Sequence, residues 1–269
     1  MEGDDETLRE LWKWAQGKAH AEAAFNSGWA RGEAFHGRLR ASLRFAKAAT
    51  ALSAKEGEFR LDELKTILMR AEAGVRSPLP VAADTARVNL GERLLAGLTL
   101  ARTGHLDGAE RAADALRREF PSHTLIRSYG LPVIEGAIKL ESNDAAGAIE
   151  VLRPTAKYEL TNWPSFPSLY SAYLRGLAWL KMGDGQAAAA EFRKVLAHPG
   201  LVGRWAIGAM AHVQLARAQH LTGEDAAALS SYETFLALWK DADGDLPLYK
   251  EALAEYRGLR TRQQGVDGR

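Results

Sequence analysis

Apolar residues recur at intervals of three and four along most of this chain, which is the spacing of one face of an α-helix. The clearest stretch predicts two helices joined by a turn at Gly183, with Gly176 and Trp179 on the first helix and Ala188 and Phe192 on the second. The small residues at 176 and 188 let the helices approach closely, and Gly183 permits the positive φ that ends a helix. No stretch combines period-two alternation with β-branched enrichment, so we predict an all-α chain.

The same arrangement recurs along the chain. The order Gly176-x-x-Trp179, Ala188-x-x-x-Phe192 and Pro199 resembles the tetratricopeptide pattern. Corresponding turns are predicted at five positions, namely Gly37, Gly104, Asn143, Gly183 and Gly223. The last four of these turns are 39 or 40 residues apart. The wider gap between Gly37 and Gly104 accommodates two units, and we assign Gly74 as the turn of the second.

The repeats predict a right-handed superhelix (solenoid) of about six antiparallel helix hairpins, because each hairpin can bury its apolar face only against a neighbour. A last helix, from Leu246 or Pro247 to Arg260, is expected to cap the open end. Residues 1–262 form one predicted domain, with a possible break at 76–80, where Pro78 and Pro80 disfavour a helix. Residues 263–269 are expected to be a frayed tail.

Composition limits the function classes. The 269 residues include 35 Lys and Arg against 34 Asp and Glu, without the basic excess of a nucleic-acid-binding protein. There is no Cys, which excludes thiolate metal sites and Cys nucleophiles. The acidic N-terminus does not resemble a signal peptide, and the weakly charged stretches are too short to span a bilayer. We therefore expect a cytoplasmic protein without a cofactor.

Motifs that could carry chemistry are incomplete. The sequence from Gly183 to Ala188 fits a dinucleotide-binding fingerprint, but that motif needs a preceding strand and here a helix is predicted. Three aspartates at 241, 243 and 245 suggest a calcium loop, yet the sixth and twelfth positions are Leu246 and Ala252 instead of Gly and Glu. No His pair has metal-binding helical spacing. We expect neither a catalytic residue nor a metal site.

Four segments of the C-terminal half resemble the tetratricopeptide region of bacterial, acidobacterial-type eukaryotic-like Ser/Thr protein kinases and of related winged-helix regulators. They run through residues 120–132, 158–176, 189–200 and 235–243. The chain lacks a Gly-rich phosphate loop, a His-Arg-Asp loop and an Asp-Phe-Gly motif, so the resemblance does not imply kinase activity in this chain. It implies a sensing or scaffolding module, either free-standing or part of a longer protein. In a membrane-anchored parent, this region could be an extracytoplasmic sensor.

Helical periodicity places a candidate peptide-binding surface on the first helices of the hairpins, which line the concave face of a solenoid. Six residues are predicted to bind there: Arg102, Tyr170, Tyr173, Lys181, Arg217 and His220. Such a mixed aromatic and basic groove suits an extended peptide with acidic groups. We expect a protein or peptide partner and no nucleic acid. The alternatives are a small-molecule-sensing or enzymatic helical domain, or a nucleic-acid regulator, which the charge balance disfavours.

Overall fold

The computed structural model of the chain describes residues 5–52, 60–76, 89–161, 166–203 and 205–267. Within these ranges it has fourteen α-helices and no β-strand, which confirms the predicted all-α class. A π-helical turn at Ile126–Gly130 and a 3₁₀ turn at Arg153–Lys157 flank α7 and α8. The α-helices are α1 (Asp5–Ala15), α2 (Ala19–Phe35), α3 (Leu39–Leu52), α4 (Arg60–Glu72), α5 (Leu90–Arg102), α6 (Leu106–Glu119), α7 (Leu131–Glu141), α8 (Ala145–Leu152), α9 (Tyr170–Lys181), α10 (Gly185–Leu196), α11 (Pro199–Val202), α12 (Ile207–Leu221), α13 (Asp225–Leu238) and α14 (Pro247–Asp267).

The predicted turns are confirmed by backbone geometry. At Gly183 (φ +77°), the Gly183 N–H bonds the Leu180 carbonyl at 3.0 Å, and the Asp184 N–H bonds the Trp179 carbonyl at 3.0 Å. This pair of bonds closes the last helical turn around a left-handed residue. The same pair of bonds and a positive φ occur at Gly37, Gly74, Gly104, Asn143 and Gly223.

Five of these turns join antiparallel hairpins, namely α2–α3, α5–α6, α7–α8, α9–α10 and α12–α13. The predicted close approach of helices also occurs. A Cβ on Gly176 would lie 2.6 Å from Phe192 Cε1, and one on Gly136 would lie 2.5 Å from Leu152 Cγ. Neighbouring hairpins pack on one another in sequence order, so the apolar faces form one continuous core.

The unit predicted around Gly74 is only partly described. Helix α4 packs against α3 and α5, and it ends at Glu72, just before the turn at Gly74 with φ +85°. The segment that would form the second helix of this unit falls mostly at 77–88, outside the described residues. The same holds for the predicted break at 76–80, apart from Arg76. The described residues therefore contain five hairpins and four further α-helices, namely α1, α4, α11 and α14.

The segment that leads into α14 contacts two turns in the N-terminal part of the chain, which the prediction of an open superhelix did not include. The Asp243 N–H donates to the Gly37 carbonyl at 3.1 Å, and the Leu248 N–H donates to the Ala73 carbonyl at 3.2 Å. The start of α14 thus packs on α4 instead of only covering an open end. Helix α14 also continues to Asp267, so the predicted helix end at Arg260 is wrong.

Within the described ranges, none of the helices combines the length and apolarity that a membrane crossing requires.

Candidate binding groove

A groove of about 670 Å³ runs across the C-terminal ends of the first helices of four successive hairpins. Its lining follows the repeat. The position two residues before the turn residue is occupied in the four hairpins by Arg102, Glu141, Lys181 and Leu221. The position three residues before the turn residue lines the groove in three of the hairpins, as Leu140, Leu180 and His220. Leu177 and Arg217 stand six residues before their turns. These positions lie on one face of a helix, so stacking the hairpins aligns them. Helix α14 forms the opposite wall with Glu251, Glu255, Leu259 and Arg262.

Four of the six predicted binding residues line this groove: Arg102, Lys181, Arg217 and His220. Tyr170 and Tyr173 do not, because both are fully buried. The Tyr170 hydroxyl donates to the Glu72 carboxylate of α4, and the Tyr173 ring packs edge-on against Phe192. Their prediction as groove residues is therefore wrong. Both face the core between α9 and its neighbours.

Arg102 belongs to a buried ion cluster. Its Nε and Nη2 atoms donate to Glu72 at 2.5 and 2.9 Å, and Nη1 donates to Glu141 at 2.7 Å. The side chain of Glu72 is only 1% exposed. Burial lowers the pKa of Arg102, but the charge and hydrogen bonds of Glu72 outweigh burial, so the pKa lies well above its ordinary value. Arg102 thus joins α4, α5 and α7, and its guanidinium is not available to an acidic partner.

Arg217 is paired with α14 instead. Its Nη2 atom lies 3.0 Å from Glu251 Oε2, and its Nε atom lies 3.0 Å from Glu255 Oε2. The Tyr232 hydroxyl donates to the same Glu255 oxygen at 2.9 Å. Burial, followed by the charge of Glu255, raises the pKa of Tyr232. The cation predicted to bind an acidic partner is therefore already paired with two carboxylates of the same chain.

The groove also has a polar and apolar surface that remains accessible. Lys181 Nζ donates to the Leu140 carbonyl at 2.8 Å and to Asn143 Oδ1 at 3.2 Å. Both acceptors are neutral, and among the described residues no carboxylate lies within salt-bridge distance of this ammonium. Leu221 is 53% exposed, and Leu177 and Leu180 are half-buried.

The carboxylates of the groove were missed by the sequence analysis. Glu141 could have been found, because it occupies the same turn-relative position as Arg102 and Lys181. Glu72 could not, because its contact with Arg102 depends on how α4 packs against α5. Glu251 and Glu255 were missed because the path of α14 relative to α12 leaves no local sequence signal.

Other candidate chemistry has structural partners. The Arg40 N–H donates to Asp243 Oδ2 at 2.9 Å, and the Arg40 guanidinium pairs with Asp245, so these aspartates join α3 to the segment before α14. His220 Nδ1 lies 2.6 Å from Asp225 Oδ1. In the part of the chain that the structure describes, no group of three or more His, Asp or Glu side chains is arranged to hold a metal ion.

Comparison with protein-family models gave no match, and neither did comparison with curated proteins or with solved structures.

Proposed function

We propose that this protein is an interaction module of tetratricopeptide-like hairpins, stacked with the right-handed superhelical sense of such repeats, and that it binds a segment of a protein partner in the groove. The turn spacing and the Gly176–Phe192 and Gly136–Leu152 packing support the repeat assignment. The central observation for binding is the exposed Leu221 beside the ammonium of Lys181, on the first helices of adjacent hairpins.

This surface favours a segment that combines apolar side chains with a carboxylate. Leu177, Leu180 and Leu221 offer apolar area whose burial stabilises a complex by about 25 cal/mol per Å². Lys181 supplies the positive charge that selects an acidic group. We propose binding rather than catalysis, since the guanidinium groups of Arg102 and Arg217 already pair with carboxylates of the same chain.

The resemblance to the repeat regions of bacterial Ser/Thr kinases suggests a sensor or scaffold role in signalling. In that setting, the groove would select a client or regulator, and any phosphoryl transfer would belong to a catalytic domain of a parent protein. We place the module in the cytoplasm on the basis of the sequence composition, as part of the same proposal.

The test is selection of peptides from a random-sequence display library on the immobilised full chain. Enriched peptides should carry Asp or Glu near Leu, Ile or Phe. They should bind a Lys181→Glu/Leu221→Ser variant at least tenfold more weakly than the wild-type chain. The matched control is Arg118→Glu/Leu160→Ser, which makes the same two chemical changes at exposed positions outside the groove.

Equal loss of affinity in both variants, or no loss in either, would contradict binding in the groove. Both variants should retain the wild-type circular dichroism spectrum, because all four positions are exposed. A folded groove variant with unchanged peptide affinity would be decisive against the proposal.

The alternative is a small-molecule-sensing domain of a transcriptional regulator. One observation favours it, because about 670 Å³ falls within the range of small-molecule pockets. The lining by the first helices of four hairpins and by α14 favours a peptide, which can contact several of them at once. Screening a library of drug-like compounds tests this alternative. A compound that binds more tightly than any selected peptide, and that loses affinity for the Lys181→Glu/Leu221→Ser variant, would support it.

A further inference from the structure

Helix α14 presents one side of itself to the groove. Glu251, Glu255 and Leu259 are spaced by four residues, so they project from one face of the helix, and all three line the groove. The two carboxylates bind Arg217, while Leu259 is 2% exposed. The chain therefore already contains one segment that fits the groove: a helix with two glutamates on one face and a leucine one turn after the second glutamate.

The polar contacts of this helix are easily exchanged. The side chains of Arg217, Glu255 and Glu251 are 23%, 38% and 58% exposed. Ion pairs with this much water contact contribute little to stability. A carboxylate from another molecule could therefore replace Glu251 or Glu255 on Arg217 with little net loss. The carboxylates on Arg102 are not exchangeable in this way, because an incoming carboxylate would leave the buried Glu72 without a cation.

The apolar contacts of α14 are uneven along its length. Leu248 and Ala252 in its first turns are buried, and the Leu248 N–H is bonded to the Ala73 carbonyl. Beyond Leu259 the helix is exposed at Arg260, Thr261 and Arg262. A segment that displaces α14 from Glu251 onward must therefore replace the buried Leu259 with a leucine of its own, while the helix start stays bonded to Ala73.

We infer that the partner segment of the groove is an amphipathic α-helix that presents the pattern Glu-x-x-x-Glu-x-x-x-Leu on one face and binds Arg217 in place of the distal part of α14. This inference rests on the proposed function and specifies its partner. Leu221 remains 53% exposed in the groove, so apolar surface is left there for an incoming helix to cover.

The probe is a fluorescent synthetic peptide of residues 247–264 with blocked ends, titrated into the full chain. A second peptide carries Gln at both Glu positions. The wild-type peptide should bind a Glu251→Gln/Glu255→Gln chain at least tenfold more tightly than the wild-type chain, a difference of about 1.4 kcal/mol, because the chain's own helix no longer holds Arg217. The Gln peptide should bind each chain about tenfold more weakly than the wild-type peptide does, because it lacks both ion pairs with Arg217.

The matched control chain is Glu110→Gln/Glu150→Gln, which removes two exposed carboxylates outside the groove and should bind the peptide as the wild type does. If the double groove variant does not fold, Glu251→Gln alone should give about a threefold tighter complex. Equal binding to all chains, or equal binding of the Gln peptide, overturns the inference. If library-selected peptides bind the groove and the 247–264 peptide does not, this inference fails and the proposed function stands; if neither binds, both fail.

Discussion

The indole Nε1 of Trp239 donates a 3.0 Å hydrogen bond to the backbone carbonyl of Phe35, which joins residues separated by 204 positions in the chain. Trp239 is fully buried, and its ring packs against the turn at Gly37. The first hairpin is therefore held by the segment that leads into α14. This contact fixes where α14 begins, and with it the wall that α14 gives to the groove.

Gly37→Ala tests this junction. A Cβ at this residue would lie 2.7 Å from Trp239 Cδ2, and the backbone has φ +73°. Left-handed strain and overpacking together should lower the free energy of unfolding by about 2–4 kcal/mol. Gly17→Ala is the control, because Gly17 has φ +78° with nothing within 4 Å, and it should cost only about 1–2 kcal/mol. Urea unfolding measures both, and equal losses would contradict the close packing on Trp239.

Gly176→Ala tests the close approach of α9 and α10. The added methyl group would meet the Phe192 ring at 2.6 Å, so we expect a loss of about 1–3 kcal/mol in the free energy of unfolding. Gly28→Ala, at an interior position of α2 with open space around it, should instead gain about 0.5–1 kcal/mol from helix propensity. Equal free energies of unfolding for Gly176→Ala and Gly28→Ala in urea would contradict the close approach of α9 and α10.

Arg175→Met tests the second buried ion cluster. The Arg175 guanidinium pairs with the fully buried Glu159 and lies 2.7 Å from Glu191 Oε1. Removing it leaves Lys194 as the remaining cation on Glu159, and we expect a loss of about 3 kcal/mol. Arg153→Met breaks the exposed pair with Glu150 and should cost about 0.5 kcal/mol or less. Thermal unfolding that shifts equally in both variants would contradict this difference.

His212 predicts a specific pH dependence. Burial lowers the pKa of His212 below its ordinary value of 6.5, because the protonated ring is poorly solvated there. As pH falls through 6.5, the unfolded chain takes up this proton before the folded chain does, so the folded state loses stability. Relative to His212→Gln, the wild-type chain should lose free energy of unfolding between pH 7.5 and 5.5. Parallel urea-unfolding curves for the two chains over this range would contradict the assignment.

Features set by local sequence were predictable. Gly183 and Asn143 adopt the left-handed conformation that ends a helix. Gly and Asn adopt it more readily than other residues, so these turns can be predicted from the sequence alone. The Gly176–Phe192 contact was predictable too, because its two positions hold fixed offsets from one turn. For the same reason, Arg102, Lys181, Arg217 and His220 could be placed on a common face.

Features set by the path of the chain were not predictable. Tyr170 lies on the first helix of a hairpin, but its burial follows from the position of Glu72, which is 98 residues away in sequence. The sequence around Trp239 does not indicate that its indole contacts Phe35. Periodicity identifies the face of a helix and leaves open which distant element covers that face, so the internal acidic partner of Arg217 emerged only with the fold.

Hydrogen–deuterium exchange of the full chain, with and without a library-selected peptide, tests the central claim of groove binding most directly. The account predicts slower exchange at the C-terminal ends of α9 and α12, where Leu177, Lys181, Arg217 and Leu221 line the groove, and unchanged exchange in α3 and α6. Protection confined to α3 or α6, or no protection at peptide saturation, would contradict it.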